Sequence, residues 1–180
     1  MNEKVKWCRC ETPLGSVRIA ARGDAIIGLW FDGQKHDVLP DRSWREAPGD
    51  PVLREAARQL RDYLAGRRDR FDLALAPEGT PFQTSVWRAI AKVPAGGTAS
   101  YGDLARRIGR PSSVRAVGAA VGRNPLSVVV PCHRIVGSDG SLTGYAGGLG
   151  RKRALLALER VEVDAAHDAI TAGAVHSTGS

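Results

Sequence analysis

Residues 112–134, SSVRAVGAAVGRNPLSVVVPCHR, combine a helix signature with a candidate reaction centre. Ser112 or Ser113 can cap a helix that carries Val114, Val117, Gly118 and Val121 on one face. Arg115, Ala116, Ala119, Gly122 and Arg123 fall on the other face. Just upstream, Ser100 with Asp103 caps a helix running to about Ile108, and Gly109-Arg110-Pro111 forms a sharp turn. Helix, short glycine-containing turn and helix make the helix-turn-helix pattern, which many αα corners share. The outward face distinguishes this one: it offers small residues and arginines but no Asn, Gln or Glu to read base edges. Such a helix suits close contact with a nucleic-acid backbone and counts against a sequence-specific regulator.

After Gly122-Arg123-Asn124-Pro125 ends that helix, Leu126–Val130 carries the chain inward, and Pro131 prevents ladder pairing. Cys132 therefore sits at a fixed bend beside His133 and Arg134. A thiol next to cations has a route to thiolate, the form that attacks electrophiles, whereas a plain reading makes it a small core hydrophobe. Adjacent side chains on an extended chain diverge, so Cys132 and His133 would couple across the bend or through a water. Glu159, ending a helix with Leu155, Leu156 and Leu158, is the candidate to orient the imidazole; a solvated acid at a helix end is the alternative. Between them lies GSDGSLTGYAGGLG, residues 137–150, either a flexible connector or a wall whose backbone approaches a flat ligand such as a nucleobase.

The 180 residues are 43% hydrophobic, as expected of a soluble, core-forming chain. MNEKVKW lacks an apolar stretch behind its charges and no run nears ~18 apolar residues, so a soluble cytoplasmic protein without a membrane span is expected. Three cysteines, two of them in Cys8-x-Cys10, argue against a disulfide framework. A zinc site is not expected, because only His36 is near that pair and His133, His167 and His176 are distant. A formal charge of +7 makes polyanions candidate partners.

In the first half, Glu11–Phe31 reads as a hairpin turning at Gly23-Asp24, Pro51 opens a helix with Leu53, Ala57, Leu60 and Leu64 that Gly66 ends, and Phe71, Leu73 and Leu75 alternate as a strand. APEGTP then breaks the pattern, and Thr80, Pro81 and Gln83 form a helix start. The expected domains are therefore an α/β supporting unit over residues 1–77 and a mainly helical unit over 78–163. Residues 164–180, small, polar and unpatterned, are expected to be disordered.

Pro131–Arg134 (PCHR), preceded by RAVGAAVGRNP (115–125) and SYGDLA (100–105) and followed by GYAGG (144–148) and LLALE (155–159), resembles the O6-alkylguanine-DNA alkyltransferase family, whose members are also called methylated-DNA–protein-cysteine methyltransferases. The strong resemblance spans about residues 80–159. It implies an α+β fold: a small sheet-plus-helix, ribonuclease H-like domain followed by a winged helix-turn-helix-like domain. It also implies a monomer without metal or cofactor, acting on double-stranded DNA that contains alkylated bases. An alkylated guanine would rotate out of the duplex, and Cys132 would take the alkyl group from O6 once per molecule, with O4-alkylthymine a further substrate. By the same resemblance His133 draws off the thiol proton through water, Glu159 holds the imidazole and Tyr101 donates to the leaving guanine. Asn124, Ile135, Tyr145, Ala146 and Gly147 would form the base pocket, and Arg115 would fill the gap left by the flipped base, an ordinary phosphate contact being its simpler role. Ser112, Ser113, Ala116, Ala119 and Arg123 would meet the DNA. Some relatives carry serine where this chain has Ala146, which implies a lost hydroxyl contact and a roomier pocket. Two rivals fit less well: a cysteine hydrolase gives no reason for the basic helix-turn-helix, and a lesion-binding relative lacks the acceptor thiol.

Overall fold

The computed structural model describes residues 3–171. The chain forms two compact units, Met1–Glu78 with Pro125–Val129, and Gly79–Asn124 with Val130–Ser180. The division by consecutive stretches expected from the sequence thus misses one segment: Pro125–Val129 belongs to the first unit, where Leu29 N donates to Pro125 O at 2.8 Å and Ser127 N to Leu29 O at 3.0 Å.

The first unit is a sheet of order β3-β2-β1-β4, built from β1 (Lys6–Thr12), β2 (Gly15–Arg22), β3 (Ala25–Phe31) and β4 (Arg45–Glu46). The hairpin expected over 11–31 is β2–β3, and β1 extends it antiparallel, pairing Cys8 with Ile19 and Cys10 with Val17. Helix α1 (Pro51–Leu64) begins at Asp50, whose carboxylate accepts from the amides of Val52 at 2.9 Å and Leu53 at 3.2 Å. Its apolar stripe, Leu53, Ala56 and Leu60, is buried with Val17, Ile19, Leu29 and Phe31. Each such large side chain contributes about 1.5–3 kcal/mol by leaving water. Gly28 admits no side chain, since a Cβ there would lie 1.8 Å from the Trp30 ring.

The strand expected at Phe71–Leu75 shrinks to one parallel bridge between Leu75 and Ile26. The reason is a side chain that substitutes for the ladder. Buried Gln59 donates to Asp72 O at 2.9 Å and accepts from Asp72 N at 2.8 Å, satisfying that backbone from the helix, while Phe71 turns onto Tyr63 with centroids 5.3 Å apart.

The second unit contains α2 (Pro81–Ala91), β5 (Ala99–Ser100), α3 (Tyr101–Arg107), α4 (Val114–Gly122), a 3₁₀ turn (Cys132–Arg134), β6 (Ile135–Val136) and α5 (Leu149–Leu158). Both expected N-terminal caps form as reciprocal capping boxes, Thr80 with Gln83 and Ser100 with Asp103. Ser113 stands at the N-cap of α4 without a side-chain bond. The buried face of α4 is Val117, Ala120 and Val121, where Trp87 Nε1 donates to Ala120 O at 2.9 Å. Val114, expected on that face, is exposed at the first residue of α4, ahead of the buried positions Val117, Ala120 and Val121.

The expectation of a disordered tail from residue 164 needs correction. Val163–Asp164 (β7) and Ala169–Ile170 (β8) form an antiparallel two-stranded sheet, with Ile170 and Val163 packed against buried Val136, Leu142, Leu156 and Val161. Small polar residues conceal the hairpin because only two of its side chains face the core. Residues 172–180 lie outside the described residues. No described helix is long and apolar enough to cross a membrane.

Candidate active site

The site is assembled around the turn that Pro131 starts. Arg134 N donates to Pro131 O at 3.0 Å, which curls Cys132–Arg134 into a single 3₁₀ turn, and β6 follows by pairing in parallel with β5. That pairing sets Ala99 beside Ile135 and Ser100 beside Val136, so Tyr101, the first residue of α3, starts next to the Cys132 turn. Buried Asn124 donates from Nδ2 to Val130 O at 2.8 Å and ties the end of α4 to the same turn. The close approach of helix end and turn is therefore built from backbone bonds within the turn and the Asn124 side-chain bond across to it, and Cys132, 4% exposed, is fixed within it.

His133 is wholly buried, and its Nε2 donates to Glu159 Oε1 at 2.9 Å. The same carboxylate accepts from Arg134 Nε at 2.8 Å and Nη2 at 2.6 Å, while Arg134 Nη1 donates to Val93 O at 2.6 Å. Burial alone would raise the Glu159 carboxyl, but the bonds from His133 and Arg134 outweigh it and hold it at about 2. Burial lowers the His133 pKa against the pull of Glu159, so the ring is neutral at neutral pH. With Nε2 protonated toward the carboxylate, Nδ1, which makes no hydrogen bond within the described residues, is the basic nitrogen.

Burial raises the Cys132 thiol above its ordinary 9.0, opposed by the Asn124 hydrogen bond and the Lys152 charge. The resting group is thus a thiol. Lys152 is completely buried and donates from Nζ to Ile135 O at 2.5 Å, Thr143 O at 3.0 Å and Gly144 O at 3.3 Å. Burial pushes its ammonium down to about 8, partly offset by proximity to Cys132. Tyr101 donates to Thr143 O at 3.3 Å; burial raises its hydroxyl above 10, with Thr143 opposing and Cys132 adding, so it is a proton donor at neutral pH.

The structure brings together Cys132, His133, Glu159, Tyr101, Asn124 and Ile135 in this unit, with the glycine-rich segment alongside: Tyr145 and Ala146 are half-buried and Gly147 is buried. Ser112, Arg115, Ala116, Ala119 and Arg123 are exposed and Ser113 partly so, which leaves the outward face of α4 open to a partner. The second unit carries 12 of the basic residues against 6 acidic ones, while residues 1–78 carry 14 against 13, so the excess charge resides in the unit that carries this helix. Sequence reasoning missed Lys152 and the role of Arg134. The signal for Lys152 was its spacing: it shares the face of Leu149, Leu155 and Leu156, where a cation demands a reason. Among the described residues no cluster of three or more His, Cys, Asp or Glu is arranged to hold a metal ion.

Comparison with known proteins follows the same division. Residues 5–77 match the family model described as 6-O-methylguanine DNA methyltransferase, ribonuclease-like domain, and residues 81–161 match its DNA binding domain. The chain is 47% identical over 150 residues to a methylated-DNA–protein-cysteine methyltransferase of Methanosarcina acetivorans, covering 83% of this chain and 94% of the relative. It is 43% identical over 157 residues to one of Mycolicibacterium paratuberculosis, covering 87% and 93%. Among solved structures, Mycobacterium tuberculosis OGT in complex with DNA matches with a TM-score of 0.80 at 41% identity, covering 86% of this chain and 92% of that one. With both units matched and the fold shared, the chain belongs to the 6-O-methylguanine DNA methyltransferase family.

Proposed function

We propose that this protein repairs alkylated DNA by direct transfer: the alkyl group on O6 of guanine moves to Cys132 Sγ, once per molecule. The observation that carries the reading is a neutral, buried His133 whose Nε2 bonds Glu159 at 2.9 Å, in the residue after a buried thiol. The thiol proton passes through a water to His133 Nδ1, and the imidazolium formed is stabilised by Glu159. The thiolate attacks the alkyl carbon, an S–C bond forms as the C–O6 bond breaks, and the electron pair passes into the guanine ring. Tyr101 O–H donates to that developing charge. The product is a thioether, which water does not cleave, so the acceptor is spent.

DNA is the partner that the relatives and the charge both support, one relative having been solved with DNA. The target base must leave the stack to reach a site this enclosed. Arg115, exposed on α4, has the length and charge to occupy the space it leaves, and Ser112, Ser113, Ala116, Ala119 and Arg123 supply a surface without base-reading groups. Tyr145, Ala146, Gly147 and Ile135 line the base pocket in this reading, and O4-alkylthymine enters as a second substrate. Intact-protein and peptide mass spectrometry after mixing with a duplex bearing O6-methylguanine tests it. One added methyl on the Cys132 peptide, absent with unmodified DNA, is the expected result; no added mass with the duplex still bound leaves a lesion binder.

A further inference from the structure

The hairpin Val163–Ile170 is unused by this chemistry and lies outside the matched family domains, yet it grips the segment that leads into the site. Leu142 N donates to Asp168 O at 2.6 Å, Ile170 N donates to Gly140 O at 3.0 Å, and Ser141 bridges Ala169 in antiparallel fashion. Thr171 N returns to Glu162 O at 3.0 Å and Arg153 pairs with Asp168, which anchors the hairpin to the end of α5 and to its exposed side. Side chains reinforce the backbone bonds: Ile170 and Val163 pack on Leu142, Val136 and Leu156. Gly140, at φ +84°, is held so close that a Cβ there would meet Ile170 Cγ1 at 3.0 Å.

The residue after Leu142 is Thr143, and its carbonyl is shared by Lys152 Nζ at 3.0 Å and the Tyr101 hydroxyl at 3.3 Å. Anything that fixes Leu142 therefore fixes the acceptor on which the proton donor and the buried ammonium both rest. We propose that the hairpin Val163–Ile170 is a positioning element of the alkyl-acceptor site: through Leu142 it holds the Thr143 carbonyl, and with it Tyr101 and the wall Gly144–Gly147, in the geometry that transfer requires. Ile170 is its central positioning residue. This rests on the reading of Cys132 as the alkyl acceptor.

The test is single-turnover transfer from a duplex carrying O6-methylguanine, with affinity for the unmodified duplex measured alongside, in full-length Ile170→Ala and Ile170→Val and in a chain ending at Glu162. Small displacements of a positioned group cost up to about 10²-fold in rate. Loss of the whole hairpin is expected to slow saturated transfer on the order of ten-fold, Ile170→Ala by a smaller factor, and Ile170→Val not at all, with duplex affinity unchanged within about two-fold in each. Full-length protein that transfers while both disruptive variants match its rate overturns the proposal. So does a parallel fall of rate and affinity, or failure of Ile170→Ala to fold, since the hairpin would then merely support the domain. Failure of the full-length chain itself to transfer overturns instead the reading of Cys132.

Discussion

Replacing Glu159 by Gln keeps the volume of the side chain and one acceptor but removes the charge on which two buried groups depend. In the native site the carboxylate accepts three hydrogen bonds, one from His133 and two from Arg134, and its side chain is 2% exposed. The variant leaves Arg134 as an uncompensated buried cation, and breaking such a pair costs about 3–5 kcal/mol; the retained amide oxygen argues for the low end. In the proposed mechanism it also removes the charge that stabilises the imidazolium formed when His133 takes the thiol proton. Because the resting thiol is raised above its ordinary value, the proposed transfer relies on that base, and a general base is worth about 10²–10⁴-fold. The expected rate loss for Glu159→Gln is therefore on the order of 10²-fold under saturating duplex. The assay is single-turnover transfer from a duplex containing O6-methylguanine, with denaturant unfolding alongside. A stability signature accompanies it. Glu159 is held at about 2 in the folded state against an ordinary 4.5, so it binds fewer protons when folded, and the stability it adds is present above about 4.5 and lost as pH falls toward about 2. The Gln variant should lack this component of acid sensitivity. A variant that is destabilised as described but transfers at the native rate would refute the catalytic part and leave Glu159 as the counter-ion of Arg134 alone.

Cys132→Ser should abolish transfer and leave duplex affinity within about two-fold, checked by peptide mass spectrometry and fluorescence anisotropy, because the thiol is buried away from the exposed α4 face. Arg115→Ala should slow transfer more than it weakens binding to unmodified duplex; equal losses would return Arg115 to a phosphate contact. Ala146→Ser narrows a half-buried pocket position, so O6-benzyl and O6-ethyl adducts should be transferred more slowly than by the native chain, while O6-methyl is spared in competition assays. Because burial lowers the His133 pKa from 6.5, the folded state resists its protonation; His133 should remain a competent base somewhat below pH 6.5, and its neutral burial should cost stability as pH falls through that range, which acid unfolding of His133→Gln would show by difference.

What the sequence discloses and what it hides divide along a physical line. Elements announced by local chemistry are legible: the capping boxes at Thr80 and Ser100, the proline that opens α1, and the bend at Pro131 depend on residues within one turn of each other. Strand β1 is obscured by its own composition. Cys8 and Cys10 face inward with Arg9 outward, a two-residue alternation that reads as a thiol pair until the sheet is seen. The strand expected at Phe71–Leu75 fails for the opposite reason, since its alternation is real but Gln59, thirteen residues before Asp72, takes that residue's backbone bonds, which a neighbouring strand would have supplied. The hairpin at 163–170 is invisible because its hold on the chain is made by backbone groups, which sequence does not distinguish.

The candidate site shows the same limit at closer range. Cys132, His133 and Glu159 could be nominated because each is out of place in an apolar surrounding, but Lys152 could be understood only with its acceptors in view. A wholly buried ammonium pushed down to about 8 is costly, and three carbonyls alone leave its charge uncompensated. The coupling between Lys152 and Cys132 is reciprocal: the ammonium lowers the thiol pKa, and the thiolate raises that of the ammonium. Arg134 and Glu159 neutralise one another and His133 is uncharged, so among the described residues protonated Lys152 is the positive charge in this cluster without an anionic partner at rest. The anion that completes the pair forms only when Cys132 loses its proton. In the proposed mechanism burial keeps the resting group a thiol, while the Lys152 charge offsets part of the burial cost of the thiolate, so the attacking state meets a positive charge already in place.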